Sequence, residues 1–308
     1  MTVISADRVA PAALGTLPRR RRRVGKAILP VTLLSPAVLF LAVFFILPAF
    51  GLLTYSVLTQ AADGTVGLPF TLAHYTHFFG TALYSRVLLK TLEISLITTL
   101  SAIVLAYPVA LVMARSTAMV RQIITIIVIA PLIVSVVVRT YGWQLILGNG
   151  PTGILNWLLL SCGLIHAPLK LMYSETAVVI GSLHVFFPMM VLPLSSALGK
   201  IDPRIEDAAR TLGATGWRIF RRITLPLSLS GLAVGCTLVF SLTAGSFVTP
   251  AILGGRDTQM LGNLIDQQIL VVYDWPFGAT IATVLVAIVL GLNAISVRML
   301  DRRRGVSA

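Results

Sequence analysis

The chain has 308 residues, of which 56% are hydrophobic and only 11% charged, and its mean hydropathy is +0.92. That exceeds what a water-soluble core of this length requires, so the solvent to reason in is a lipid bilayer. The formal net charge of +13 follows from membrane topology and anionic cytoplasmic lipid, and no nucleic acid partner is needed to explain it.

Residues 1–26, rich in Ala, Pro and Arg, read as a flexible cytoplasmic tail lying on the lipid surface. Arg19 to Arg23 have the look of the basic region of a cleavable signal peptide. The apolar run that follows is too long for one and is not closed by a small-residue cleavage site, so an uncleaved anchor is expected. Six runs can cross about 30 Å of hydrocarbon, which takes about 20 helical residues. They lie near 28–55, 88–113, 122–147, 177–199, 227–253 and 276–299. The runs are continuous rather than alternating, and backbone in lipid must satisfy its own hydrogen bonds, so helices are expected. The expected class is an all-α integral membrane protein: six transmembrane helices over 27–300, then a cytoplasmic tail at 301–308.

Glu93 in the second run and Arg139 in the third are ionisable groups within or near apolar spans. Such groups line a pathway or snorkel to an interface, and Arg139 has a further structural reading at a bend near Pro131 and Gly142. Cys162 falls on the outer side and Cys236 inside a span, so no disulfide is expected between them. His166 and His184 form no H-E-x-x-H pattern and read as packing residues, and there is no paired-cysteine metal motif. Neither a metal nor a cofactor is expected.

After the fourth run comes a polar knuckle from Asp202 to Pro226. Asp202 suits the N-cap, Pro203 the first helical position, and Gly213 a left-handed stop after about three turns. Ile205, Ala208, Ala209 and Leu212 share one helical face, and Arg204, Asp207, Arg210 and Thr211 the other. A second short helix fits Thr215 to Arg222, with Pro226 expected to break the chain before the fifth span. Gly199-Lys200 lacks the glycine spacing of a phosphate-binding loop, so nucleotide chemistry has to come from a partner.

In the fifth run, Gly231, Gly235, Ala244 and Gly245 allow close helix approach. Thr249-Pro250 and Gly254-Gly255 are expected to break its outer end. The outer segments 148–175 and 254–275 are candidate docking surfaces, the second carrying Asp257, Asp266 and Asp274. With the N-terminus cytoplasmic, 19 of the 24 Lys and Arg fall on the cytoplasmic side and 5 elsewhere, a strong positive-inside bias that puts both termini and the knuckle there.

The knuckle resembles the cytoplasmic signature loop of permease subunits of binding-protein-dependent ABC importers: Glu-Ala-Ala, three residues, Gly, nine residues, Ile, one residue, Leu-Pro. Here Asp207-Ala208-Ala209 is followed by Gly213, Ile223, Leu225 and Pro226 at that spacing. The aligned acid is Asp207, with Glu206 just before it, and either carboxylate could hold the family's role. The resemblance implies a type I ABC importer permease fold in a bacterial inner membrane. It also implies a coupling loop of Glu206, Asp207, Ala208, Ala209, Gly213, Ile223, Leu225 and Pro226 that enters a cleft of a cytoplasmic ABC ATPase dimer. The implied partners are that ATPase, a second and different permease subunit, a solute-binding protein and membrane lipid.

The segments Pro131–Trp143, Ser246–Gly255, Met260–Ile265 and Trp275–Ala279 are similar to the spermidine/putrescine permease branch. That branch also includes transporters of opines, aminoethylphosphonate and other small solutes. A polyamine substrate is implied, for which Glu93, Asp266, Tyr273, Asp274 and Trp275 are the candidate pathway groups. An ion-coupled secondary transporter would want a buried carboxylate or histidine relay and an internal repeat, and neither is clear in the sequence.

Overall fold

Apolar runs of this length fold as helices in the structure, a computed structural model that describes residues 28–61 and 63–305. The tail expected over 1–26 lies outside the described residues. Residues 28–50 belong to one compact unit and the described residues from Gly51 onward to a second. In the first, α1 (Ile28–Leu41) runs into a π turn, Ala42–Ile46, and the Phe40 and Phe44 rings meet one helical turn apart at 4.8 Å. Helix α2 (Leu47–Tyr55) follows, and Leu34–Tyr55 is long and apolar enough to span a membrane.

After the end of α2, the second unit contains an element absent from the all-helical expectation, an antiparallel hairpin of β1 (Leu58–Gln60) and β2 (Val66–Phe70). Its turn is set by Gly64 at φ +84° and by Asp63, whose carboxylate accepts from the backbone and hydroxyl of Thr65. These are turn residues flanked by β-branched ones, a hairpin signal too short to stand out beside long apolar runs. Helix α3 (Ala73–Gly80) then leads to α4 (Ala82–Arg115).

The third expected span is not straight. Helices α5 (Ala118–Ile133) and α6 (Val136–Ile146) meet at 99°, so among the described residues five helices, and a sixth span if the bent pair counts as one, are long and apolar enough to cross a membrane. Pro131 lacks an N–H for the last turn of α5, Val134 takes an extended conformation and Ser135 leaves helical geometry. Arg139, buried beside the break, donates Nη2 to the Val134 carbonyl at 2.5 Å. A cation there satisfies a freed carbonyl and suits the negative end of α5.

Helix α7 (Ile154–Ser161) carries Asn156, which is buried and holds the outer segment by donating to the Gly148 and Leu169 carbonyls and accepting from the Leu169 N–H. Helix α8 (Glu175–Gly199) starts on Ser174, whose hydroxyl accepts from Ala177 N–H. After the knuckle helices α9 (Pro203–Thr211) and α10 (Gly216–Ile219) come α11 (Leu225–Ala244), α12 (Val248–Leu253), α13 (Leu261–Gln267) and α14 (Trp275–Gly305).

Two expected breaks move. Pro226 does not interrupt the chain, because a π turn at Phe220–Thr224 lets Leu225 N–H bond the Phe220 carbonyl and carries the helix past the proline. The fifth span breaks at Gly245–Phe247 instead of at Thr249-Pro250. Pro250 lies in the first turn of α12, where a missing N–H costs little.

The core of the second unit is the mutual packing of α4, α8 and α11. Ala102, Ala106 and Ala110 of α4 meet Met190, Val191, Leu194 and Leu198 of α8 and Val239 of α11, all buried. A Cβ on Gly231 would lie 2.5 Å from the Pro193 carbonyl oxygen and one on Gly235 2.6 Å from the Met190 sulfur. Small residues thus set the approach of α11 to α8, as membrane helix packing favours. Ion pairs mark the two ends of the bundle. Lys90 bonds Glu175 at 2.7 Å at one end and Arg115 bonds Glu206 at 2.6 Å at the other. The 25 residue steps of α4 from Lys90 to Arg115 span about 37 Å, enough to cross a bilayer.

Candidate functional site

The knuckle follows the local rules of helix ends. The Asp202 carboxylate accepts from Arg204 N–H at 3.0 Å and Pro203 takes the first helical position. At the other end Gly213 has φ +79°. Its N–H bonds the Arg210 carbonyl at 2.9 Å, and the Ala214 N–H bonds the Ala209 carbonyl at 3.0 Å. That reciprocal pair is a Schellman stop, which only a residue tolerant of the left-handed region supplies without strain.

The two adjacent acids are divided by the fold. Glu206 turns inward: its Oε1 is 2.6 Å from Arg115 Nη2 and accepts the Thr224 hydroxyl at 2.9 Å. Asp207 turns outward and pairs with Arg210 at 2.6 Å, both side chains being more than half exposed. The side of α9 that packs is therefore the one with Glu206, while Ile205, Ala208 and Leu212 stay exposed, Leu212 at 88%. Ala209 is half-buried, as are Ile223 and Leu225, and Pro226 is exposed. Trp217 stacks on Phe220, which in turn meets Tyr107 of α4 edge-on at 5.2 Å.

This arrangement suits a docking element: a helix fixed at both ends, anchored on one side and offering a small apolar face on the other. A cleft of about 390 Å³ beside the contact of Glu206 with Arg115 is lined by Leu111, Arg115, Glu206, Arg210, Phe220 and Thr224 among others. Arg115 and Thr224 were not singled out from sequence. The available signal was a basic residue ending a span, which many positions share.

The candidate pathway groups do not form one cluster. Glu93 bonds Lys90 at 2.8 Å, and Lys90 also holds Glu175. Asp266 is exposed on α13. Tyr273, Asp274 and Trp275 share one turn. Tyr273 has φ +62°, and Asp274 caps α14 by accepting from Phe277 N–H at 3.0 Å. Gln60 of the hairpin clamps this turn, donating to the Tyr273 carbonyl at 2.8 Å and accepting from Trp275 N–H at 3.1 Å. Both aromatic rings remain exposed, at 64% and 49%. Gln60 had no sequence signal, since its partners lie more than 200 positions away.

Comparisons with known proteins bear on the architecture and on the loop. The chain is 33% identical over 275 residues to the spermidine/putrescine transport system permease protein PotB of Haemophilus influenzae, covering 88% of this chain and 95% of that protein. It is 37% identical to PotB of Escherichia coli K12 over 253 residues, 82% of this chain and 90% of that one. Among solved structures, one chain of a bacterial ABC transporter for import of the acidic polysaccharide alginate superposes with a TM-score of 0.73 at 18% identity, covering 91% of this chain and 97% of that one. A chain of the MetNI methionine ABC transporter in an inward-facing conformation gives 0.53 at 18% identity, over 71% of this chain and 94% of its own. Those two likenesses establish the fold. The model of the inner membrane component of binding-protein-dependent transport systems matches residues 102–306, which include the knuckle and the α4–α8–α11 core. The chain belongs to that family of binding-protein-dependent transport system inner membrane components.

Proposed function

We propose that this chain is the permease subunit of an ATP-driven importer that passes a polyamine, putrescine or spermidine, from a solute-binding protein to the cytoplasm. The observation that carries the substrate is likeness along almost the whole length of two permeases named for spermidine and putrescine transport. The chain is non-catalytic. ATP is hydrolysed by a separate pair of cytoplasmic ATPases, and a second, different permease subunit completes the pathway. Both termini and α9 face the cytoplasm, by the positive-inside distribution. The exposed face of Ile205, Ala208 and Leu212 enters the ATPase cleft, with Asp207 at its edge. The permease domain is residues 27–300.

The pathway carries few charges. Lys90 offsets Glu93, and Asp274 is engaged as a helix cap. Selection therefore falls to the binding protein, and the permease offers exposed aromatic faces, Tyr273 and Trp275, over which an ammonium group can pass. The test is uptake by cells that lack their own polyamine importers and express the complete transporter, with labelled putrescine, spermidine, an opine and aminoethylphosphonate as solutes. Accumulation of either polyamine is expected. Refusal of both, with uptake of the opine or the phosphonate, overturns the substrate and leaves the permease role.

A further inference from the structure

Helix α9 is joined to two spans through a single carboxylate oxygen. Glu206 Oε1 lies 2.6 Å from Nη2 of Arg115, the last residue of α4, and 2.9 Å from the hydroxyl of Thr224, the residue before α11. These partners stand 91 and 18 positions away in the sequence. The contact is partly shielded from water: the Glu206 side chain is 12% exposed and that of Arg115 26%, and Thr224 is buried. Arg115 Nη1 also reaches the Ile201 carbonyl at 3.4 Å, in the turn that leads into α9. About 12 Å deeper along α4, the hydroxyls of Tyr107 and Ser228 join α4 to α11 again at 2.8 Å. The pair between Asp207 and Arg210 lies within α9 and ties it to neither span.

We propose that Arg115 and Thr224 are positioning residues for α9. With Glu206 they form a latch that makes α9, the end of α4 and the start of α11 one rigid body. Without the latch, α9 hangs on its two connecting turns, one of them at Gly213, and a push on its exposed face is absorbed there. With it, the same push reaches α4 and α11 together. The transport consequence rests on the permease role proposed above. The mechanical link does not.

The test uses the complete transporter in lipid nanodiscs and proteoliposomes, in a Cys162→Ser, Cys236→Ala background. Spin labels at Thr117→Cys and Thr211→Cys report the distance between the α4–α5 turn and α9. The parent is expected to give a narrow distance distribution, Arg115→Met and Thr224→Val broader ones, and the exchanged pair Arg115→Glu with Glu206→Arg a narrow one again. In proteoliposomes, polyamine imported per ATP hydrolysed is expected to fall about tenfold in Arg115→Met and to return to within about twofold of the parent in the exchanged pair, as coupling between contacting residues dictates. A distribution in Arg115→Met as narrow as the parent's overturns the latch. So does an equal loss of import and hydrolysis with their ratio unchanged, which is the signature of a variant that merely assembles poorly. If the widths change as stated while the parent imports nothing, the transport role fails and the mechanical link stands.

Discussion

At the scale of residues, the division of labour between Glu206 and Asp207 is the informative detail. The spacing of the signature aligns Asp207 with the family's acid, and sequence alone leaves the two carboxylates interchangeable. The fold separates them, because Glu206 faces Arg115 and Thr224 whereas Asp207 faces solvent and Arg210. Removing the charge of Glu206 leaves Arg115 without its counter-charge in a partly shielded place, a cost of about 1–3 kcal/mol. Removing that of Asp207 disrupts an exposed pair, which costs at most about 1 kcal/mol. Glu206→Gln is therefore expected to open the knuckle to limited proteolysis after Arg204 or Arg210 at a lower temperature than the parent, while Asp207→Asn is expected to match the parent. Asp202, Pro203 and Gly213 were legible because capping acts over two to four residues and leaves a local signature. Arg115 was not, since its partner is set by how α4 and α9 pack.

At the scale of elements, the existence of the helices was legible from apolar runs, and their interruptions were only partly so. A proline signals that a carbonyl will lose its partner, but what replaces that partner decides where the helix breaks. At Pro226 a π turn absorbs the loss and the helix continues. Near Pro131 the chain leaves helical geometry at Val134 and Ser135, the Arg139 side chain bonds the Val134 carbonyl, and the two helices meet at 99°. The β hairpin was missed because its strands, three and five residues long, carry too little periodicity to register. Gly231 and Gly235 are the contact points with α8 that their size predicts, whereas Gly245 is exposed in the break after α11 and meets no other helix; the close pair gives the sharpest test of the bundle. A Cβ at Gly235 would press on the Met190 backbone as well as its sulfur. Gly235→Val is expected to cost about 1–3 kcal/mol through overpacking and to lower the thermal unfolding midpoint of the chain in detergent. Ala244→Gly, which removes atoms instead of adding them, is expected to leave α11 seated against α8. An unchanged midpoint for Gly235→Val would mean that α11 does not approach α8 as described.

At the scale of the whole molecule, the proposed topology puts the two ends of the bundle on opposite sides of a membrane. Cys162 is exposed at the end of α7, on the side given to the binding protein. In intact cells it is expected to react with an impermeant thiol reagent added outside. In a Cys162→Ser background, Thr211→Cys on α9 is expected to stay unlabelled until the cells are opened, and the reverse pattern would invert the topology. Such a topology has a functional consequence, because energy and solute must be supplied from opposite sides. The most direct measurement is made on the complete transporter in proteoliposomes, with ATP and the loaded binding protein each confined to a chosen face. Spermidine is expected to cross only when ATP is on the face that carries α9 and the binding protein is on the face that carries Cys162, and Ala208→Trp on the exposed face of α9 is expected to abolish it. Spermidine movement that needs no ATP, or that proceeds with ATP only on the Cys162 face, would contradict the account.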